Sequence, residues 1–462
     1  MADLQEPEPT LNIDRHLRYW RMCLTAPLPH HYLSNEGNRM ALAYFIINSI
    51  AILEPSLSPS CSSPDETSKP QRKPLLTPDL RKQLRKWILA HQHPGGGFIA
   101  TSSLIFPFEE PDNPDVYQSS PGESSDYDPA ADYPSPANLP ATVFALLLLA
   151  LLADENDPDG ALVGVDRVKT LRWLRRLQRE DGSFGEVVRR MPIPGEEMYI
   201  GGGYDMRYCY IASAIRWILR GDVKEGDDGW VEDIDIDGLR SYILRTQTYD
   251  GGFAGSSQEE PHAGYAFCAI AALSLLDRPL TNSTTPHAIP SLHHGIRDLP
   301  NLLHWLSSRQ FVYLDSPDDD SSSDSDEDNF LLPPSPSSFL PPNPLPYVAL
   351  NGRANKLPDT CYTWWVGAAL RILGHFDLLD AARARRFLLE RTAHTIGGFS
   401  KYPGGPPDVY HGCFGLAALG LLSEEWRARD GLAEVDAALA VPVGTVRVLE
   451  RARGRLLRGV GR

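Results

Sequence analysis

Apolar positions along the chain fall into two alternating classes of helix. In one class, Leu80 to His91, Val168 to Arg179, Leu239 to Gln247 and Ala381 to Ala393, one side carries Lys, Arg and Glu. In the other, Pro140 to Leu152, Tyr208 to Leu219, His262 to Leu276, Cys361 to Leu373 and His411 to Leu422, the residues are apolar nearly all round. These helices are also rich in small residues, as in Ala269-Ile270-Ala271-Ala272-Leu273. A helix apolar on every side is buried; one with a polar stripe faces solvent. Each helix of the first class runs into a glycine-aromatic turn: Gly95-Gly96-Gly97-Phe98, Asp181-Gly182-Ser183-Phe184, Asp250-Gly251-Gly252-Phe253 and Gly397-Gly398-Phe399. Glycine takes the left-handed conformation that ends a helix at no steric cost. The internal repeat predicts an all-α architecture with an inner ring wrapped by an outer ring. Convincing strand patterns are absent.

Three stretches interrupt the repeat, at about 55–74, 107–138 and 315–346, each rich in Ser, Pro or acidic residues. They have too little apolar surface to offset the entropy of ordering and are expected to be disordered insertions. Spacing between glycine turns widens at the last one, as a loop inserted into one ring requires. The expected organisation is a flexible segment 1–13, one barrel over 14–423 and an extension over 424–462.

Composition narrows the function. The 462 residues are 42% hydrophobic and 23% charged, with a formal net charge of −16, as expected of a soluble globular protein without the basic surface that nucleic acid requires. The six cysteines are scattered with no Cys-x-x-Cys, the pattern of reduced thiols in a cytoplasmic protein. No secretory signal precedes Arg15. The longest apolar run, Val143 to Ala153, is too short for a transmembrane segment. Asp233-Ile234-Asp235-Ile236-Asp237-Gly238 mimics a calcium loop, but Leu244 stands where its Glu belongs, so Asp237 is read as a helix cap.

The candidate chemistry lies at the starts of the apolar helices. Asp359 and Cys361 are two residues apart, and His411 follows in Asp408-Val409-Tyr410-His411. Carboxylate, thiolate and imidazole suit zinc with one position left open. Taken singly, they also read as a helix cap, a core thiol and a satisfied histidine. Arg353, Lys356 and Lys401, with His262 and Tyr362, fall at the same kind of place, where cations and donors stabilise a departing diphosphate. Trp364, Trp365, Phe267, Tyr210, Phe414 and Tyr44 are candidates for a greasy tunnel, or for ordinary core. Together they suggest transfer of a group from a diphosphate onto a thiol.

These residues resemble the β subunits of protein prenyltransferases over about Asp14 to Ser423, outside the insertions. The resemblance implies an α/α barrel (toroid) around an isoprenoid diphosphate, with zinc on Asp359, Cys361 and His411. It places His262, Arg353, Lys356 and Tyr362 at the diphosphate and Arg207 at the peptide site. The family's isoprenoid-length position falls on Ala41, where the farnesyl branch has tryptophan. Alanine leaves room for four isoprene units, and Phe414 also resembles the geranylgeranyl type; Trp365 is assigned to the same lipid wall. Lys401 resembles the type I geranylgeranyl branch, where lysine replaces magnesium's charge, and so implies transfer without Mg2+.

The implied substrates are geranylgeranyl diphosphate and proteins ending in Cys-aliphatic-aliphatic-X (CaaX), such as small GTPases, with X often Leu. The implied partner is a prenyltransferase α subunit in a heterodimer. Lys356-Leu357-Pro358-Asp359 and Trp364-Trp365 look somewhat like the Rab type, so the Rab and farnesyl branches remain alternatives. From other classes, so do a terpene cyclase-like barrel and a non-catalytic helical scaffold.

Overall fold

The computed structural model describes residues 8–55, 73–102, 137–190, 198–280, 290–313 and 347–459. The insertions expected at 55–74, 107–138 and 315–346 lie almost wholly outside the described residues, as does Cys61.

Outer and inner helices alternate along the chain. They are α1 (Ile13–Thr25) and α2 (Arg39–Leu53), α3 (Pro78–Leu89) and α4 (Leu139–Leu151), α5 (Arg167–Arg176) and α6 (Met206–Leu219), and α7 (Ile236–Thr246) and α8 (Ala263–Asp277). After a single-turn α9 (Ser291–His294) come α10 (Leu299–Ser307) and α11 (Thr360–Ile372), then α12 (Ala381–Phe387) and α13 (Val409–Gly420). Each of α2, α4, α6, α8, α11 and α13 packs against the next, and α13 packs against α2. The inner ring is therefore closed, and the fold is an α/α toroid. The small residues of these helices allow close approach, and most of their side chains are buried.

The glycine turns set the ring's pitch. Gly96, Gly182, Gly251 and Gly397 all have φ between +88° and +100°. A Cβ on any of them would run into the backbone of the next outer helix, at Lys169, Gly238, Asn301 or Arg15 respectively, so this position admits only glycine. The aromatic after each turn, Phe98, Phe184, Phe253 or Phe399, is fully buried.

A second repeated device joins the outer helices. Gln92, Gln178, Gln247 and Gln310 each use the side-chain amide to bond the chain just before the next helix. Gln178, for example, donates to Asp235 O at 2.8 Å and accepts from Asp235 N at 2.7 Å. Gln247 does the same at Asp298, whereas Gln92 and Gln310 accept from Asp166 N and Asp380 N and donate two residues earlier, to Gly164 O and Leu378 O. Those four aspartates are the N-caps of α5, α7, α10 and α12. The cap of α7 is thus Asp235 rather than the expected Asp237, while Asp233 pairs with Arg216 at 2.6 Å and Arg220 at 3.0 Å.

The clamp is missing at the seam between α12 and α1, where Ala393 occupies the glutamine register. There the buried guanidinium of Arg385 pairs with the buried Asp430 at 2.7 Å and donates to Pro9 O at 2.7 Å. Asp430 also accepts from Leu11 N at 3.1 Å. A four-centre polar junction therefore closes the circle.

Among the described residues, three two-stranded antiparallel ribbons stand where no strand pattern was legible: β1 (Val187–Arg190) with β2 (Met198–Gly201), β3 (Gln310–Tyr313) with β4 (Tyr347–Leu350), and β5 (Phe399–Ser400) with β6 (Pro407–Asp408). Strands of two to four residues are too short to carry an alternation signal.

The chain beyond 423, set apart in the sequence as an extension, packs onto the barrel through α14 (Glu424–Asp430) and α15 (Val443–Leu457). It crosses the C-terminal ends of the inner helices: Ala433 N donates to Ile52 O, Val435 N to Gly420 O, and Arg453 to Trp217 O. Tyr44 and Tyr210 reach it from the inner wall, donating to Ala440 O and Ala438 O at 2.8 Å each. One end of the toroid is floored; the functional residues gather at the other. Among the described residues no helix is long and apolar enough to cross a membrane.

Candidate active site

The site is made of helix caps. His262, Asp359 and Asp408 are the N-caps of α8, α11 and α13, each accepting a backbone N–H from the first turn. Capping turns these side chains back toward the helix starts, and the closed ring brings the starts of adjacent helices together. The β5–β6 ribbon delivers Lys401 and Asp408; β4 leads into the loop that carries Arg353 and Lys356.

Asp359, Cys361 and His411 each offer a ligand atom, and these atoms lie within 4.8 Å of one another. His411 Nε2 is 3.7 Å from Asp359 Oδ1, and its Nδ1 is 2.6 Å from Asp408 Oδ2. Burial disfavours the imidazolium, but the two carboxylates outweigh it and raise His411 to about 9. Burial opposes ionisation of Asp359, while its bonds to His411 and Cys361 hold it below the usual carboxylate range. Burial, then Asp359, pushes the Cys361 thiol well up. The centre thus attracts positive charge. A carboxylate, a sulfur and an imidazole so disposed fit a borderline-soft divalent cation such as zinc. Asp359 also caps α11, so the cap and the ligand geometry coexist.

Beside this centre, His262 Nε2 is 3.1 Å from Tyr362 Oη, and His262 Nδ1 accepts from Gly264 N at 3.0 Å. Burial, with Arg353 adding to it, lowers His262 to about 4. The ring is therefore neutral, and the bond at Nδ1 assigns its proton to Nε2. Nε2–H then donates to the Tyr362 oxygen, leaving the phenol proton for an incoming anion. Arg353 pairs with Glu260 at 2.8 Å. Lys356 and Lys401 are exposed; the Lys401 carbonyl accepts from Thr360 N at 2.9 Å, fixing its loop to the start of α11. Arg207 is largely exposed and paired with Asp205 at 2.5 Å.

The wall below is aromatic. Trp365 and Phe414 have ring centroids 4.5 Å apart, Phe267 and Trp365 5.1 Å, and Tyr210 and Phe267 5.4 Å. Ala41 lies one helical turn before Phe45, whose ring meets Tyr410 at 5.5 Å, Phe414 at 5.9 Å and Phe144 at 6.0 Å. Ala41, Phe45 and His411 line one cleft of about 590 Å³. Sequence reasoning passed over Asp408, Glu260, Phe45 and Tyr410. Spacing could have found Asp408, since an Asp three residues before a helical His is at capping distance. For Glu260 no sequence signal exists.

Residues 11–441 match the family described as the prenyltransferase alpha-alpha toroid domain. The chain is 30% identical to the geranylgeranyl transferase type-1 subunit beta of Arabidopsis thaliana, over 95% of this chain and 90% of that one. It is 28% identical to the protein farnesyltransferase subunit beta of Pyricularia oryzae, over 65% of this chain and 52% of that one. It is also 28% identical to the geranylgeranyl transferase type-2 subunit beta of Saccharomyces cerevisiae, over 66% and 71%. Among solved structures, that of Candida albicans protein geranylgeranyltransferase-I complexed with GGPP superposes with a TM-score of 0.64 over 96% of this chain and 99% of that one, at 24% identity, a likeness of fold.

Proposed function

The chain belongs to the prenyltransferase α/α-toroid family, as a homologue of its protein-prenylating β subunits, and from that premise we propose that it is the β subunit of a type I protein geranylgeranyltransferase. The acceptor is the cysteine of a protein ending in Cys-aliphatic-aliphatic-X, and the donor is geranylgeranyl diphosphate. The observation that carries the reading is the approach of Asp359, Cys361 and His411 donor atoms to within 4.8 Å, beside a cation-bearing rim and above an aromatic wall.

Asp359, Cys361 and His411 would hold a zinc ion, whose contribution when bound is to favour the thiolate form of the acceptor cysteine. Asp408 keeps the His411 proton on Nδ1 and so keeps Nε2 available as a ligand atom. The cysteine sulfur attacks C1 of the lipid, the S–C1 bond forms and the C1–O bond breaks. Diphosphate leaves with the electron pair, and the thiol proton passes to solvent. Arg353, Lys356, Lys401 and the Tyr362 hydroxyl receive the charge that develops on the leaving group. Trp365, Phe414, Phe267 and Tyr210 pack the isoprenoid and exclude water from its allylic carbon. Ala41 leaves space beside Phe45 for a fourth isoprene unit.

The type I assignment is supported by the relative matched over nearly the whole chain, by alanine at 41 and by lysine at 401. Arg207, at the start of α6, is assigned to the acceptor peptide. The enzyme is a heterodimer with a prenyltransferase α subunit, acts on CaaX-terminated small GTPases among others, and does not need Mg2+. The test is prenylation of peptides ending in Leu or Ser by this chain with its α partner. Geranylgeranylation of the Leu peptide in EDTA-treated, zinc-restored buffer is expected; farnesylation of the Ser peptide in preference would overturn the assignment.

A further inference from the structure

Arg353 already has an anionic partner. Its Nη1 lies 2.8 Å from Oε2 of Glu260, with the two side chains 39% and 53% exposed. Glu260 comes two residues before His262, so the anion belongs to the rim of the same site. The neighbouring Glu259 is used locally, accepting from Ser256 N at 3.1 Å; Glu260 reaches across to the other loop instead. Both loops are held in place. Ala263 N donates to Gly352 O at 2.8 Å, joining their bases. Asn351 Nδ2 donates to Lys356 O at 2.8 Å, fixing the bend that carries the lysine. Each loop also has a non-glycine residue in the left-handed region, Gln258 at φ 72° and Asn355 at φ 57°. Such conformations persist only where surrounding bonds impose them.

We propose that Glu260 is a displaceable counter-ion for Arg353, occupying the guanidinium whenever no diphosphate is bound. This rests on the reading of the rim as a diphosphate site. The guanidinium can present its fork to one anion at a time. An arriving diphosphate must displace the carboxylate and then meets its repulsion. When transfer is complete and inorganic diphosphate remains, Glu260 competes for Arg353 and speeds its departure. The same competition keeps Arg353 pointed into the site between turnovers, so the arginine is oriented before the lipid arrives. Both partners are half exposed, so the competition is mild: the exchange is a trim on affinity, as an exposed ion pair allows.

The experiment uses the heterodimer and inorganic diphosphate as the probe, measured as the inhibition constant against geranylgeranyl diphosphate. Glu260→Gln should lower that constant about two- to five-fold, the range an exposed pair spans. Binding of geranylgeraniol, which has no charge, should stay unchanged. In the Arg353→Gln background the Glu260→Gln gain should vanish, because the competition needs the guanidinium. An unchanged or higher inhibition constant in Glu260→Gln, or the same gain without Arg353, would overturn the counter-ion role. Failure of the wild-type heterodimer to bind either inorganic diphosphate or the lipid diphosphate would instead overturn the reading of the site itself.

Discussion

His411 Nδ1 and Asp408 Oδ2 are 2.6 Å apart, and the same carboxylate, through Oδ1, accepts the His411 backbone N–H at 2.8 Å. One side chain therefore starts α13 and fixes which imidazole nitrogen faces Asp359 and Cys361. Asp408→Asn keeps an oxygen for the cap but removes the charge at Nδ1. We expect zinc affinity to fall roughly 10- to 100-fold, the usual cost of losing such a partner. Competition with a chromophoric chelator measures it, and an unchanged helical circular dichroism spectrum would separate it from unfolding.

Tyr362 is the terminus of a proton-ordered chain that runs from Gly264 N–H through His262 to the phenol. Tyr362→Phe removes the one donor that this chain aims at the leaving group. The expected result is a fall in kcat of about ten- to a hundred-fold, somewhat less than the loss of a dedicated oxyanion donor, with little change in KM for the peptide. Steady-state kinetics with both substrates decide it.

Ala41 leaves a gap in the cleft that it lines with Phe45 and Tyr410, whose rings both meet Phe414. Ala41→Trp fills the gap and should move donor preference from the twenty-carbon to the fifteen-carbon diphosphate. Competition between the two lipids in one assay reads the ratio; an unmoved ratio would remove Ala41 from the lipid site.

The seam pair Arg385–Asp430 is fully buried on both sides. Arg385→Met leaves Asp430 charged and unpartnered by any cation, which costs about 3–5 kcal/mol. The double variant Arg385→Met with Asp430→Asn should recover part of that loss. Chemical denaturation of the three proteins gives the comparison.

His16 is 2% exposed and its Nδ1 accepts Gly398 N–H at 3.2 Å. Burial, aided by Arg15, lowers it from 6.5 to about 4. The unfolded chain therefore takes up a proton below about 6.5 that the folded chain refuses until about 4. Stability is retained above that window and lost as pH falls through it, by up to about 3 kcal/mol. His16→Gln keeps the acceptor and should flatten the decline in Tm between pH 6.5 and 4.

Helix positions and the toroid were legible because inner helices such as α8 are apolar on every face while outer ones such as α5 keep a charged stripe. Burial imposes that contrast directly on residue choice. The glycine turns were legible for a similar reason, since one backbone conformation excludes every other residue. The glutamine clamps were not, because a single polar residue at a helix end has many uses and only the fold selects this one. The role of residues 431–457 was hidden too: Ala438 and Ala440 are used for their carbonyls, and a backbone acceptor leaves no mark on residue identity. At the site, the three ligand candidates were legible as chemical types and Asp408 was within reach of local spacing, whereas Glu260 acts on Arg353 through a contact that only the fold creates.

The junction of Leu11, Arg385 and Asp430 joins residues 419 positions apart in the chain. Until Asp430 has been synthesised, the segment before the first outer helix lacks the buried carboxylate that accepts Leu11 N–H and pairs with Arg385. Loop closure over such a span is slow and late. Closure of the seam therefore waits on a carboxylate that is made 419 residues after the amide it binds.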